Sequence, residues 1–226
     1  VIFAPIWLIA SFLEKLINFY PERLKGLNGL VVCSSSSAVT KRFSANRFDR
    51  NLAYQLIKAE VLLQKVSTKF GVSCHILRPT LIYGKEGPFT DRNLSFLVEL
   101  MRRSPILPIP KDTGRRQPIH ASQLASVALQ FSKLLLNSES DCITCETIGL
   151  GGDQELTYKS MLEHLKQSTS ITDTARNCYL LPIPNRLFFF LSSPLIIGSP
   201  KIYEAIIRLG ADLSGFKKSH ELLGLP

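Results

Sequence analysis

Several features are scarce or missing in this sequence, and each omission narrows what the chain can be. Five cysteines form no even framework at short spacing, so the fold is not expected to rest on disulfides, and a reducing compartment, the cytoplasm, is expected. No apolar run is long enough to span a bilayer. The opening stretch from Val1 to Leu13 lacks a basic leader and runs into Glu14 and Lys15. The block Leu187-Phe188-Phe189-Phe190-Leu191, with Leu195-Ile196-Ile197 beyond it, is also too short to span and is expected to pack in a core or subunit interface, contact with a membrane surface being the other reading. Charge is one-sided at +9, yet the cations are scattered, with short pairs such as Arg102-Arg103, Arg115-Arg116 and Lys217-Lys218. No basic stripe interleaved with stacking aromatics is visible, so nucleic acid is not the expected partner. Dispersed arginine pairs suit phosphate-bearing small molecules better. No repeat is visible. Cys142 and Cys145 lie three apart on an expected strand and so point to opposite faces, which leaves no metal site in prospect.

What is present is enough for a real core: 226 residues, 45% of them hydrophobic, make one large domain or a domain plus a small lobe. Val1 to Ala4 reads as the end of a buried strand stopped by Pro5, and a helix is expected from there to about Tyr20, its Leu8, Phe12 and Leu16 lying on a sheet. Leu30-Val31-Val32-Cys33 reads as a parallel strand buried on both faces. A long helix is expected from Asn46 to Phe70 with Gly71 as its stop, followed by a strand from Val72 to Leu77 closed by Arg78-Pro79. Strand, helix and strand in this order predict a right-handed crossover and a doubly wound α/β sheet. Beyond Gly84 the pattern loosens: a loop at Gly87-Pro88, a helix over Asn93 to Arg103, and a rigid connector at Pro105, Pro108 and Pro110. Then come a helix over Ser122 to Leu136, a strand over Cys142 to Ile148, and a turn at Gly149, Gly151 and Gly152. Thr157 is expected to cap a helix to about Lys166, and short apolar helices broken by Pro194 and Pro200 follow Pro182.

Three runs carry a resemblance. Leu30-Val31-Val32-Cys33-Ser34-Ser35-Ser36-Ser37-Ala38-Val39 places hydroxyls just past the C-terminal end of a parallel strand, where such sheets bind ligands. Ile76-Leu77-Arg78-Pro79-Thr80-Leu81-Ile82-Tyr83-Gly84 ends a strand in a proline, a rigid apolar wall suited to a flat ring. Gly114-Arg115-Arg116-Gln117-Pro118-Ile119-His120 offers a planar guanidinium fork that suits a phosphate pair. Together these resemble the extended short-chain dehydrogenases of the NAD-dependent epimerase/dehydratase kind, which act on nucleotide-sugars. The closing stretch, from Gly210-Ala211-Asp212-Leu213 to Leu222-Leu223-Gly224-Leu225-Pro226, is similar to that family's end.

The resemblance implies Ser36 as the catalytic hydroxyl, Ser34, Ser35, Pro79 and Leu81 as cofactor contacts, and Tyr83 and Arg116 as nucleotide-sugar contacts. It implies NAD or NADP as cofactor, a nucleotide-sugar as partner and a possible homodimer. His120 is expected to be structural, and Gln123 stands where the family has an aspartate. The family's Tyr-x-x-x-Lys engine, in which the lysine lowers the tyrosine pKa for proton transfer, has Tyr54 and Lys58 as its candidates. Counting back from Arg78-Pro79 through Gly71 and Glu60 instead brings Leu52 and Leu56 to those positions. Two residues turn a helix by about 200°, so Tyr54 and Lys58 are expected to face away from the sheet. Thr40-Lys41 likewise stands where the family has Tyr-Gly.

No glycine fingerprint precedes the first strand, so the Rossmann-like sheet is expected to be incomplete at its N-terminus, and the chain to be either part of a longer one or a decayed relative. Residues 1–84 are expected to form the later part of the cofactor-binding domain, and 85–226 a small α+β substrate lobe with returning sheet elements. A non-catalytic protein that senses or scaffolds around a cofactor or sugar-nucleotide is the alternative reading.

Overall fold

The computed structural model describes residues 4–86, 89–137 and 143–225. The strand end expected at Val1–Phe3, the loop at Gly87-Pro88 and Cys142 lie outside them. The chain divides into two compact units: one takes the chain up to Thr80, Ser122–Gly151 and the stretch from Phe216, and the other takes Leu81–Ala121 and Gly152–Gly215.

The first unit is built on a four-stranded parallel sheet in the order β1 (Gly29–Cys33), β2 (Ser73–Pro79), β3 (Cys145–Gly151) and β4 (Lys217–Lys218). Apolar and β-branched residues dominate β1 and the middle of β2, but only β2 is well buried. β1, expected to be buried on both faces, is half-buried except for Val32 and leaves Cys33 exposed, because among the described residues it has a strand beside it on one side only. Between β1 and β2 runs the 24-residue helix α2 (Arg47–Phe70); α1 (Ile6–Phe19) precedes β1, and α3 (Ala121–Asn137) precedes β3. Both ends of α2 are set locally. The Asn46 side chain accepts the Phe48 N–H at 2.9 Å, and Gly71 turns left-handed at φ 73°, where an L-residue with a Cβ is strained. Leu56, Ala59, Leu63 and Val66 of α2 pack with Ile6, Ala10, Leu13 and Ile17 of α1 over Val32, Cys74 and Ile76 of the sheet.

Two further expectations fail in this unit. The buried stripe of α1 is Ile6, Ala10, Leu13 and Ile17, while Leu8 and Phe12 are exposed. This helix is apolar on more than one face, so helical spacing fits two stripes, and small Ala10 marks the one that approaches a neighbour closely. The third strand runs to Gly151 rather than ending at Ile148, so Gly149 and Gly151 lie within it. A Cβ at Gly149 would sit 2.8 Å from Cδ1 of Phe216, so this glycine serves packing and not a turn.

In the second unit, the helix Arg92–Arg103 is capped by Asp91, which accepts the Leu94 N–H at 2.7 Å. Thr157 caps the helix Tyr158–Ser168 by accepting the Ser160 N–H at 3.1 Å. Ile106–Pro110 is a strand and not merely a connector: it pairs in parallel with Tyr179–Ile183, from Ile106 opposite Tyr179 to Pro110 opposite Ile183. Proline is tolerated because a two-stranded sheet consists only of edges, which leave positions that need no donor. Met101, Ile109, Leu162, Ala175, Cys178 and Leu180 form the core. The helices Asn185–Ser192, Leu195–Gly198 and Pro200–Ile207 break at the expected prolines, but Phe188 alone is buried among them. Their apolar block is therefore not core. Among the described residues no helix is long and apolar enough to cross a membrane, and no group of three or more metal-ligating side chains occurs.

Candidate functional site

The serine turn sits where β1 and β2 end side by side. The ladder continues past Cys33: the Ser34 N–H donates to the Leu77 carbonyl at 2.7 Å, and the Ser36 N–H to the Pro79 carbonyl at 2.9 Å. Pro79 is itself fully buried and opposite Leu150 of β3. The three serines are half-buried and do different things. The Ser34 hydroxyl donates to Glu60, and Ser35 Oγ accepts the Ser37 N–H at 3.1 Å. Ser36 opens the single helical turn Ser37–Thr40 without capping it through its side chain.

Behind the turn lies a charged cluster. Glu60, 2% exposed, receives Arg78 Nε on Oε1 at 3.0 Å, Arg78 Nη2 on Oε2, and the Ser34 hydroxyl on Oε1. A carboxylate withdrawn this far from water needs such partners, and the bidentate fork supplies them. Glu60 is only a register mark in the sequence; its pairing with Arg78 across 18 residues was not read from it.

Tyr54 is 67% exposed and Lys58 is exposed, whereas Leu56 is buried and Leu52 partly so. The helix thus turns the Leu52–Leu56 side inward and the Tyr54–Lys58 side outward. Lys41 pairs with Asp49 at 2.8 Å. Arg50 Nη1 donates to the carbonyls of Ser44 at 2.8 Å and Ala45 at 2.6 Å, so the chain between the serine turn and α2 is pinned by side chains the sequence did not single out.

In the second unit Arg116 is 7% exposed. Its Nη1 donates to the carbonyls of Arg115 at 2.7 Å and Ala211 at 2.6 Å, its Nη2 donates to the Arg208 carbonyl, and its Cζ lies 5.4 Å from the centre of the Tyr158 ring. Burial, the largest influence on both groups, lowers the Arg116 guanidinium from its ordinary range and raises the Tyr158 phenol above its own. Arg115 is exposed; its N–H donates to Asp212 at 2.6 Å and its side chain lies 3.7 Å from Glu155. Asp212 belongs to the closing motif, and the sequence held no signal of this partner.

Leu81 and Tyr83 are half-buried. The Leu81 carbonyl accepts the Ile119 N–H at 2.9 Å, and Tyr83 meets His120 edge to face with centroids 5.1 Å apart. Gly84, at φ 135°, lies against the same imidazole, where a Cβ would stand 2.8 Å from Nε2.

No family model matches the sequence, and no curated protein matches it. Solved structures do. MoeE5 in complex with UDP-glucose and NAD has a TM-score of 0.56 at 16% identity, covering 96% of this chain and 63% of that one. A UDP-glucose 4-epimerase from Thermotoga maritima with UDP-glucose gives 0.54 at 14% identity, covering 95% and 61%. The UDP-glucuronic acid 4-epimerase from Bacillus cereus in complex with NAD gives 0.52 at 15% identity, covering 78% and 54%. The chain therefore has the Rossmann-like α/β fold seen in nucleotide-sugar epimerases, and it spans less than two thirds of the length of each of these proteins.

Proposed function

We propose that the chain is part of an NAD(P)-dependent, cytoplasmic protein of the nucleotide-sugar epimerase/dehydratase kind. In this reading residues 1–84 carry the cofactor side, and 85–226 the substrate lobe with returning sheet elements. The observation that carries the reading is the bond from the Ser36 N–H to the Pro79 carbonyl at 2.9 Å. It fixes a serine turn at the C-terminal edge of two parallel strands, the place where open α/β sheets bind ligands. The residues fit a nicotinamide through Ser36, whose hydroxyl is not used in capping, while Pro79, a proposed cofactor contact without a donor, backs the turn from its buried position on β2. When bound, the cofactor supplies hydride acceptance from a sugar carbon. Ser36 then hydrogen-bonds the sugar hydroxyl, while Ser34 holds the turn to Glu60. Tyr83 and Arg116 are the proposed nucleotide-sugar contacts, with Arg116 reaching the diphosphate. A homodimer would cover Leu8, Phe12 and Phe19 of α1 and Val61 of α2, all exposed.

The test is a thermal-shift series on the full-length protein with NAD, NADP and UDP-glucose. A midpoint that climbs with ligand concentration supports the reading, as linkage requires of a real site. A flat response to all three up to millimolar concentration removes it.

A second reading, a cofactor- or sugar-nucleotide-sensing protein without catalysis, is favoured by one observation. Tyr54 and Lys58 face solvent while Leu52 and Leu56 hold the inward register. Ligand-dependent stabilisation with no change in nicotinamide absorbance on adding UDP-sugars selects this reading. Turnover that Ser36→Ala abolishes selects the first.

A further inference from the structure

The stretch from Asn185 to Arg208 contradicts what its composition suggests. It is the most apolar part of the second unit, and almost none of it is buried. Leu195–Gly198 and Pro200–Ile207 have no buried residue at all. Phe190 is 74% and Ile197 92% exposed, and Leu187, Leu191, Ile196, Ile202 and Ile207 are exposed with them. Scattered exposed leucines need no explanation, but seven large apolar side chains exposed within 21 residues, on three helices of which the last neighbours the other two, are the density that marks a binding surface.

The charges of the same stretch narrow the occupant. It carries three cations, Arg186, Lys201 and Arg208, and one anion, Glu204. Glu204 lies 3.5 Å from Arg208, which neutralises the negative charge within the fold. Exposed Arg186 and Lys201 then flank the apolar side chains. Short helices in which bulky aliphatic and phenylalanine side chains project beside lysine and arginine are suited to the boundary of an anionic bilayer, where acyl chains take the apolar groups and headgroups the cations. The prolines at 194 and 200 keep each helix too short to cross, so the segment can lie only in the surface plane.

We propose that Asn185–Arg208 docks the protein on the surface of an anionic membrane, with Ile197 and Phe190 inserted and Arg186 and Lys201 on the headgroups. This is independent of the chemistry proposed above.

The test is flotation of the purified protein with phosphatidylcholine vesicles, with and without phosphatidylglycerol. Binding is expected with the anionic lipid, weakening as salt rises. Ile197→Asp should lower the partition by about tenfold or more, from the transfer free energy of one large aliphatic side chain. The double variant Arg186→Gln, Lys201→Gln should remove the preference for phosphatidylglycerol. Circular dichroism and NAD-dependent thermal shift on the same variants separate lipid docking from folding and from the cofactor reading. The proposal is overturned if the protein does not float with either vesicle, or if Ile197→Asp floats like the parent. It is equally overturned if sedimentation shows a dimer that Ile197→Asp splits while lipid binding is absent, since the patch would then belong to a second copy.

Discussion

Arg78 and Arg116 are both drawn away from solvent, one in each unit, and their charge is met in different ways. Arg78 forks onto the Glu60 carboxylate, and the Ser34 hydroxyl completes the cluster. Among the described residues no carboxylate forms an ion pair with Arg116, although Asp212 acts on it through space; the carbonyls of Arg115, Ala211 and Arg208 and the face of Tyr158 surround it. The first arrangement is an ion pair, in which removing one partner strands the other's charge. The second is a clamp, in which a cation gathers the dipoles of three backbone segments and holds Arg208 and Ala211 to the strand Arg115–Arg116. Both use guanidinium geometry, yet only the clamp ties together backbone from positions more than 90 residues apart.

Four experiments bear on that contrast. The largest effect is expected for Glu60→Ala, which leaves Arg78 without its carboxylate. We expect a loss of about 3 kcal/mol in urea unfolding, the low end for breaking a buried pair, because Arg78 keeps some contact with water. A loss under about 1 kcal/mol would show that the pair is not what holds the turn. Arg116→Ala should cost about 2 kcal/mol, the range of hydrogen bonds to a charged group. Arg116→Lys should recover little of it, since a point charge cannot span three carbonyls; full recovery would reduce the clamp to simple charge.

A pH series separates the units further. In the first unit burial holds the His75 imidazole below its ordinary range, against the opposing pull of Glu146. Among the described residues its buried Nδ1 has no hydrogen-bond partner, and its ring lies 4.7 Å from that of Phe131. The fold keeps the neutral form, while the unfolded chain takes a proton near pH 6.5. Stability is therefore full above about pH 6.5 and falls as pH drops from there through the lower folded value. His75→Phe should flatten that decline, and an unchanged slope would assign it to other groups. The smallest effect is expected for Tyr54→Phe, within about 0.5 kcal/mol in unfolding, as befits an exposed surface position. A larger loss would mean that the Tyr54 hydroxyl has a structural partner.

What could be read from the sequence follows how local each cause is. The bounds of α2 were legible because Asn46 and Gly71 act within a turn of where they stand. β2 was legible because a buried parallel strand demands apolar residues in a row; β1 was legible as a strand by the same run, although only Val32 of it is buried. The inward register of Leu56 came from counting between a glycine and an arginine, and the helix then exposed Tyr54 as that register requires. Other features depend on partners far along the chain. Ile106–Pro110 becomes a strand only because Tyr179–Ile183 comes beside it, and Gly149 stays within β3 because Phe216 needs the space. The serine turn was legible as a motif, but its tie to Glu60 and the engagement of Arg116 by carbonyls were not. Those partners are chosen by the tertiary fold and leave no periodic trace.

The order of the strands also sets a timetable. β4, at Lys217–Lys218, pairs with β3 at Leu150–Gly151, so the sheet of the first unit waits for residues made some 67 positions after its neighbour. The second unit waits as well, since Ile106–Pro110 needs Tyr179–Ile183. During synthesis at roughly 5–20 residues per second, β1 and β2 stand finished for seconds with apolar faces and a missing neighbour. A ribosome-bound chain halted before residue 145 would therefore expose β2 along the edge that β3 later covers. Chaperone occupancy on the nascent chain should be highest in that interval and drop once residue 218 has emerged.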